Sequence, residues 1–421
     1  MKQLSDARVF LCIPNHSFRL ENHAPFSTEH LGVAYLAAEL ISMRYSIEIF
    51  DAYLLNLSPA VLSDRLFESL DGRDIVCFST TIETCEYVNR VCQILRARGF
   101  EGGVVIGGWG VALSCQSASI YFKSADVLWC GWSATEFVNA IPQIASCAGN
   151  QGRLILGNPN ASSPVPPRNS WHKPYHYVHA LEHYREFRDV SVPILGGLGC
   201  YWGKCSFCCT AARWSNAVSQ RPACKIADEI NYNIKTYGVT SFAFVDDSFF
   251  DGTERGKKRA FKLSGLLSSM ELPVQFSMDC RVADVEEELF AYLHKSGLTS
   301  VFLGIESGSP GILRRYNKGH SVKQCRRALD ILHSMGINVI LGYITFEPGM
   351  SLVEVEETIG FLSENFPHEV QSRIRDRITP YPSTRLFDSL DKKGLIDGQF
   401  PDYKFRFVDP LIEEIYRSIS R

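Results

Sequence analysis

Short apolar runs alternate with amphipathic stretches along most of the chain. In the N-terminal third, residues 9–13, 46–50, 75–79, 104–107 and 127–130 are continuous apolar runs of strand length. Between them, segments such as 30–42 and 85–98 repeat their apolar residues at helical spacing. Buried strands separated by helices predict a doubly wound, Rossmann-like α/β unit over residues 1–150. A ligand of such a unit belongs at the C-terminal edge of its strands. Pro159, Pro164, Pro166 and Pro167 then interrupt any helix and predict a linker over 158–168. Residues 169–184, rich in His, Tyr and Trp, complete a connector spanning 151–190 and read as an interdomain strap.

The alternation resumes at residue 191. Strands are expected at 192–195, 242–245, 274–278, 300–303, 339–344 and 374–379, with helices after most of them, for example 226–237, 286–296 and 354–365. Regular strand–helix alternation implies right-handed crossovers and a parallel sheet. Six units predict a partial (β/α)6 TIM-like barrel over 191–385, with functional groups gathered at the strand C-terminal ends. Residues 386–421, with Phe405, Phe407, Leu411 and Tyr416, read as a closing segment.

Composition narrows the class. A net charge of −3 over 421 residues leaves no electrostatic footprint for a long nucleic acid. No apolar run is long enough to span a bilayer and no signal peptide opens the chain, so a cytoplasmic protein with reduced cysteines is expected. Most of the fourteen cysteines, Cys12, Cys77, Cys92 and Cys130 among them, stand singly in apolar segments and read as core.

Three do not. Gly199-Cys200-Tyr201-Trp202-Gly203-Lys204-Cys205-Ser206-Phe207-Cys208 follows directly on the first barrel strand. Zinc prefers four ligands in paired knuckles, whereas Cys205 and Cys208 form the one such pair here. Three thiolates on one Fe–S cube leave an iron open to a small molecule, which suits chemistry rather than electron storage. Cys209 stands next to Cys208 as an alternative third ligand.

This run resembles the cluster motif of the radical S-adenosylmethionine (radical SAM) superfamily, C-x3-C-x2-C with an aromatic before the last cysteine. Phe207 fills the aromatic position, and the first spacing is one residue longer. Further resemblances follow in order: the strand end Gly304-Ile305-Glu306-Ser307-Gly308-Ser309, then Asn317-Lys318-Gly319-His320-Ser321, Phe346-Glu347-Pro348-Gly349 and Pro380-Tyr381-Pro382-Ser383-Thr384. In the N-terminal third, residues 31–40, Phe50-Asp51-Ala52, Cys77-Phe78-Ser79-Thr80-Thr81 and Val105-Ile106-Gly107-Gly108 resemble the cobalamin-binding domain fused to many such enzymes. No D-x-H-x-x-G segment is present, and Trp109 follows the paired glycines where proline is usual.

The resemblance implies a [4Fe–4S] cluster on Cys200, Cys205 and Cys208, with S-adenosylmethionine on its open iron. An electron from an external reductant such as flavodoxin or ferredoxin would then yield a 5′-deoxyadenosyl radical. Phe207, Asp246, Asp247, Arg281 and Glu306 are candidate S-adenosylmethionine contacts, and Gly342 and Tyr343 would offer backbone edges to its adenine. For Asp247 a cap or ion pair, and for Arg281 a structural ion pair, are the competing readings. Ser79, Gly107 and Gly108 would let cobalamin approach the backbone. With cobalamin, methyl transfer to an unactivated carbon of a natural-product or pathway intermediate is expected. Without it, the radical could epimerise a peptide residue, with Cys209, Cys224, Cys280 or Cys325 returning hydrogen. A non-catalytic Fe–S or zinc module is the third reading.

Overall fold

The computed structural model describes residues 7–15, 29–149, 154–157, 173–177, 191–210 and 217–420. The predicted linker at 158–168 lies outside them, as does most of the strap. The chain divides into two compact units, one on each of two parallel sheets.

The first unit carries strands β1 (Val9–Ile13), β2 (Ile47–Asp51), β3 (Ile75–Ser79), β4 (Gly103–Gly107), β5 (Val127–Trp129) and β6 (Leu154–Leu156). Their order is β2-β1-β3-β4-β5-β6, all parallel, which makes the gap between β1 and β3 the topological switch point. β1 is buried along its whole length, as a strand covered by helices on both faces must be. The described part of the strap belongs here. Tyr175 donates its N–H to the Ala34 carbonyl, and the Tyr177 hydroxyl accepts from the His30 N–H and donates to Asp51, each at 2.8 Å. His176 pairs with Glu29.

Cys130 corrects the expectation of lone core thiols: it is joined to Cys115 in a disulfide, with the Cα atoms 6.4 Å apart. The helix Cys115–Tyr121 and the end of β5 are brought together by the β4–β5 crossover, a proximity that a separation of 15 residues does not announce.

The second unit holds β7 (Val192–Ile194), β10 (Ser241–Phe244), β11 (Gln275–Cys280), β12 (Leu298–Glu306) and β13 (Asn338–Tyr343), again parallel, in the order β13-β12-β11-β10-β7. Two short strands, β8 (Gly197–Leu198) and β9 (Ser219–Gln220), pair across the cysteine loop. The sheet is that of a partial TIM-like barrel, with one difference from the pattern. Of the residues expected as a sixth strand, 374–379, only Arg377 pairs, in a single parallel bridge with Phe346, just after a helical turn at Val370–Arg373. Arg373, Arg375, Asp376 and Arg377 crowd that stretch with charge, and only Ile378 is buried, in a second cluster with Phe346, Met350, Phe405, Phe407 and Ile412. Expected and observed helices agree closely: Ala223–Tyr237, Glu287–Lys295 and Leu352–Asn365. Ser351 and Glu354 form a capping box that fixes where the last one starts.

Alternation decides which side chains reach the inner face of this sheet. Phe242, Phe244, Phe276, Met278, Cys280, Val301, Leu303, Val339, Leu341 and Tyr343 all enter the core on the helix side. Ala243, Ser277, Asp279, Phe302, Gly304 and Glu306 are left for the other.

Candidate functional site

The cysteine run leaves β7 and is held at both ends by one carboxylate. Asp247 Oδ2 accepts the Gly199 N–H at 3.2 Å, and its Oδ1 accepts the Thr210 hydroxyl at 3.0 Å. Asp247 follows β10, the neighbour of β7, so the staple is a consequence of strand order. Asp246 turns the other way. It is fully buried, accepts from the Gly196 N–H at 3.2 Å, and its carboxyl is pushed up to about 7 by burial against the opposing pull of Arg259. Arg259 itself donates to the Arg221, Phe249 and Gly196 carbonyls.

The longer first loop of the motif has a seat of its own. Trp202 donates Nε1–H to the Asn317 carbonyl at 2.6 Å, and its ring covers Gly319. The Arg281 guanidinium lies 4.6 Å from the Trp202 ring and 5.0 Å from the Tyr201 ring. It also donates to the Tyr201 hydroxyl at 3.0 Å and to the Lys318 carbonyl. Tyr201 in turn donates to Asp284 at 2.6 Å. Arg281 thus clamps the cysteine loop onto the 317–319 segment through its two terminal nitrogens, while its buried Nε has no hydrogen-bond partner among the described residues. Ser206 completes the seat: its N–H donates to the Tyr316 carbonyl and its own carbonyl accepts from Leu386 N–H. Phe207 packs edge-on against Tyr316, ring centres 4.9 Å apart.

Gly319 carries the tightest of these contacts. Its φ is +72° and a Cβ there would sit 2.3 Å from the Trp202 ring. Gly319→Ala is therefore expected to unseat Trp202 and to destabilise by about 2 kcal/mol or more. A shift in tryptophan emission with an earlier denaturant midpoint would confirm it; unchanged emission would mean that the ring is not seated there.

Glu306 ends β12 at a bulge, in a left-handed conformation (φ +70°) that a glutamate adopts only under constraint. The constraint is Lys318, whose ammonium donates to Glu306 Oε1 at 3.0 Å; the two side chains are 7% and 13% exposed. Gly304 makes room for the pair, since a Cβ there would lie 2.9 Å from Glu306 Oε1. Burial pulls the Lys318 ammonium down, but Glu306 and Cys205 outweigh it and the net direction is up. Burial pushes the Cys205 thiol up to about 11 against the pull of Lys318, with Cys208, Glu306 and Cys200 adding to the rise. Burial also raises Cys208, opposed by hydrogen bonds from Thr210.

Cys205 thus feels both other thiols of the run as well as the Lys318 ammonium. Among the described residues no group of three or more His, Cys, Asp or Glu side chains already stands in metal-holding geometry. The donor set fits an Fe–S cluster in its chemistry: three half-exposed thiols on one stapled loop, with a buried ammonium to offset thiolate charge. Cys209, the alternative ligand, begins a helical turn.

The remaining expectations fall on both faces of the sheet. The Tyr343 hydroxyl is in the outer core, accepting from Gly308 N–H and donating to the Thr358 carbonyl. Gly342 faces inward opposite Gly304, and the Phe302 ring lies against it. Cys280 is in the helix-side core, its thiol pushed well up by burial. In the first unit, Ser79 and Gly107 are register partners at the C-terminal edge of β3 and β4, and Ser79 Oγ lies 3.2 Å from His30 Nε2. Gly108 has an internal reason to be glycine, because a Cβ there would lie 2.5 Å from the Thr80 carbonyl. Ser79 and Gly107 are small residues on two adjacent strand ends beside the switch point, the edge where a ligand of such a sheet belongs and where their backbone would admit a flat ring system. Sequence reasoning missed Trp202, Lys318 and His30. Lys318 stood inside a quoted motif, while nothing near His30 in the sequence points to Ser79.

Residues 194–362 match the family model of the Radical SAM superfamily. The chain carries a radical SAM domain. An uncharacterized methyltransferase of Pyrococcus horikoshii is 23% identical over 415 residues, covering 96% of this chain and 88% of its own. Among solved structures, the cobalamin-dependent S-adenosylmethionine radical enzyme OxsB, with aqua-cobalamin and S-adenosylmethionine bound, superposes with a TM-score of 0.75 at 15% identity. That match covers 98% of this chain and 66% of OxsB. The radical S-adenosylmethionine methyltransferase TsrM from Kitasatospora setae, with cobalamin and a [4Fe–4S] cluster bound, gives a TM-score of 0.68 at 17% identity, covering 92% of this chain and 78% of that one. Each of the two units thus has a fold like that found in OxsB and TsrM.

Proposed function

We propose that this radical SAM protein is a cobalamin-dependent methyltransferase acting on an unactivated carbon of a small-molecule or peptide intermediate. The observation that carries the reading is the cysteine loop seated beside the Lys318–Glu306 pair at the C-terminal ends of the barrel strands. Cys200, Cys205 and Cys208 would hold a [4Fe–4S] cluster, which when bound supplies the electron that cleaves S-adenosylmethionine to a 5′-deoxyadenosyl radical. Ser79, Gly107 and Gly108 would hold cobalamin, which when bound would supply the methyl group.

The chain's own residues orient and exclude. Asp247 fixes both ends of the cysteine loop, while Arg281 and Trp202 hold its middle. Glu306 offers a carboxylate to the ribose or amino group of S-adenosylmethionine, and Lys318 holds that carboxylate in place. Gly342, register partner of Gly304 on the adjoining strand, would offer its backbone edge to the adenine if the Phe302 ring that lies against it swings aside. The electron comes from a one-electron carrier of the flavodoxin or ferredoxin kind. Among the described residues no helix is long and apolar enough to cross a membrane. The methyltransferase names of the Pyrococcus protein and TsrM support the reaction type, and the ligands in OxsB and TsrM support the cofactors.

The test is anaerobic purification with added hydroxocobalamin, then desalting and metal analysis. About four irons and one cobalt per chain are expected. Iron without cobalt would overturn the methyltransferase reading and favour hydrogen abstraction without methyl transfer. Absence of iron after reconstitution would overturn the cluster as well.

A further inference from the structure

Asp279 is a carboxyl that none of the contacts above employs. Along β11, Phe276, Met278 and Cys280 enter the helix-side core, so Asp279 faces inward. In register it stands opposite Phe302 of β12, and Phe302 opposite Ile340 of β13. Val245, next after the buried Phe244, points to the same side. Phe302 is 39% and Val245 42% exposed, high for apolar side chains on a sheet covered by helices on its other face. The inner face therefore offers exposed apolar surface on either side of Asp279, while the other carboxylate of that face, Glu306, is paired with Lys318.

That carboxyl has no hydrogen bond or ion pair among the described residues. Burial and the nearby Asp247 push it up to about 7. Among the described residues, Arg259 is engaged by three carbonyls and Asp246, Lys318 by Glu306, and Arg281 by the cysteine loop. A sequestered polar group without a partner calls for an explanation, and a ligand is the usual one at an open face.

We propose, granting the reading of the inner face as the site of S-adenosylmethionine chemistry, that Asp279 is the recognition point for the second substrate. That substrate presents a positively charged nitrogen on an otherwise apolar body. A cation would balance the Asp279 carboxylate, where a neutral donor would not, and charged hydrogen bonds are the stronger kind. The apolar body would rest on Phe302 and Val245.

The test uses the full chain, reconstituted anaerobically and loaded with S-adenosylmethionine, and three probes that share one ring: 2-phenylethylamine, 2-phenylethanol and 3-phenylpropionate. Saturation-transfer NMR reads their binding. The amine is expected to bind roughly tenfold or more tighter than the alcohol, and the carboxylate not at all. Asp279→Asn, nearly isosteric, should bring the amine down to the alcohol's level, and Asp279→Leu should abolish the preference. Equal binding of amine and carboxylate, no binding of the amine, or an unchanged preference in Asp279→Asn would overturn the proposal. A parallel fall in S-adenosylmethionine affinity would overturn it too, by making Asp279 a contact of that cofactor. Failure of the wild type to bind S-adenosylmethionine is a separate result: it removes the reading of the site, and the substrate assignment with it.

Discussion

Cys205→Ala is expected to abolish both the iron-linked visible absorption of the reconstituted protein and its release of 5′-deoxyadenosine. Cys205 lies between the other two thiols in the run and feels both of them, as well as Lys318 and Glu306. Its loss leaves two thiols, too few to hold a cube that already lacks one protein ligand. The fold should survive. Cys205 is only half-buried, and the backbone of its loop is tied through Asp247, Trp202 and Ser206 rather than through the thiol. The denaturant midpoint should therefore move by no more than about 1 kcal/mol equivalent. Cys209→Ala in parallel separates the two candidate third ligands: iron content should stay at the wild-type level. Retention of iron and deoxyadenosine release in Cys205→Ala would remove the cluster from this loop. Loss of iron in Cys209→Ala, with Cys208→Ala unaffected, would move the third ligand by one position.

Most of both sheets was legible in the sequence, because parallel strands buried on two faces leave continuous apolar runs. The runs at Val9–Ile13 and Ile75–Ser79 coincide with β1 and β3 residue for residue. What failed did so for local reasons. β6 is three residues, half-exposed at its ends, and too short to register as a pattern. The stretch after residue 373 has the apolar spacing of a strand, but its charges hold it to one bridge and Ile378 packs into a separate cluster. The cysteine motif was legible from spacing and context together. Its extra residue could be explained only once Trp202 and Arg281 were seen to seat the loop on Asn317 and Lys318, more than a hundred residues away from Trp202. Arg281 illustrates the limit: a charged residue after a strand end reads equally well as a ligand group or as a clamp. Only the two aromatic rings beside it decide.

Lys318→Met should be among the most destabilising single changes in the radical SAM domain. It leaves the Glu306 carboxylate, 13% exposed and already in a left-handed backbone, without its counter-charge. Breaking a buried pair from one side costs about 3–5 kcal/mol, since a charge is left stranded. For a domain of this size that corresponds to a fall in melting temperature of roughly 6–20 °C. The double variant Lys318→Met/Glu306→Gln removes both charges and should recover much of that loss, because desolvation of an ion pair offsets most of what its attraction contributes. The same double variant separates stability from binding. If Glu306 holds S-adenosylmethionine, affinity measured by calorimetry on the reconstituted protein should stay at least about tenfold down, the loss of one charged hydrogen bond, even though the melting temperature has returned. Recovery of both together would make the pair a structural element and move the S-adenosylmethionine contact elsewhere on the inner face. A double variant no more stable than Lys318→Met would mean that Gly304 and the bulge at Glu306 are shaped by something other than this ion pair.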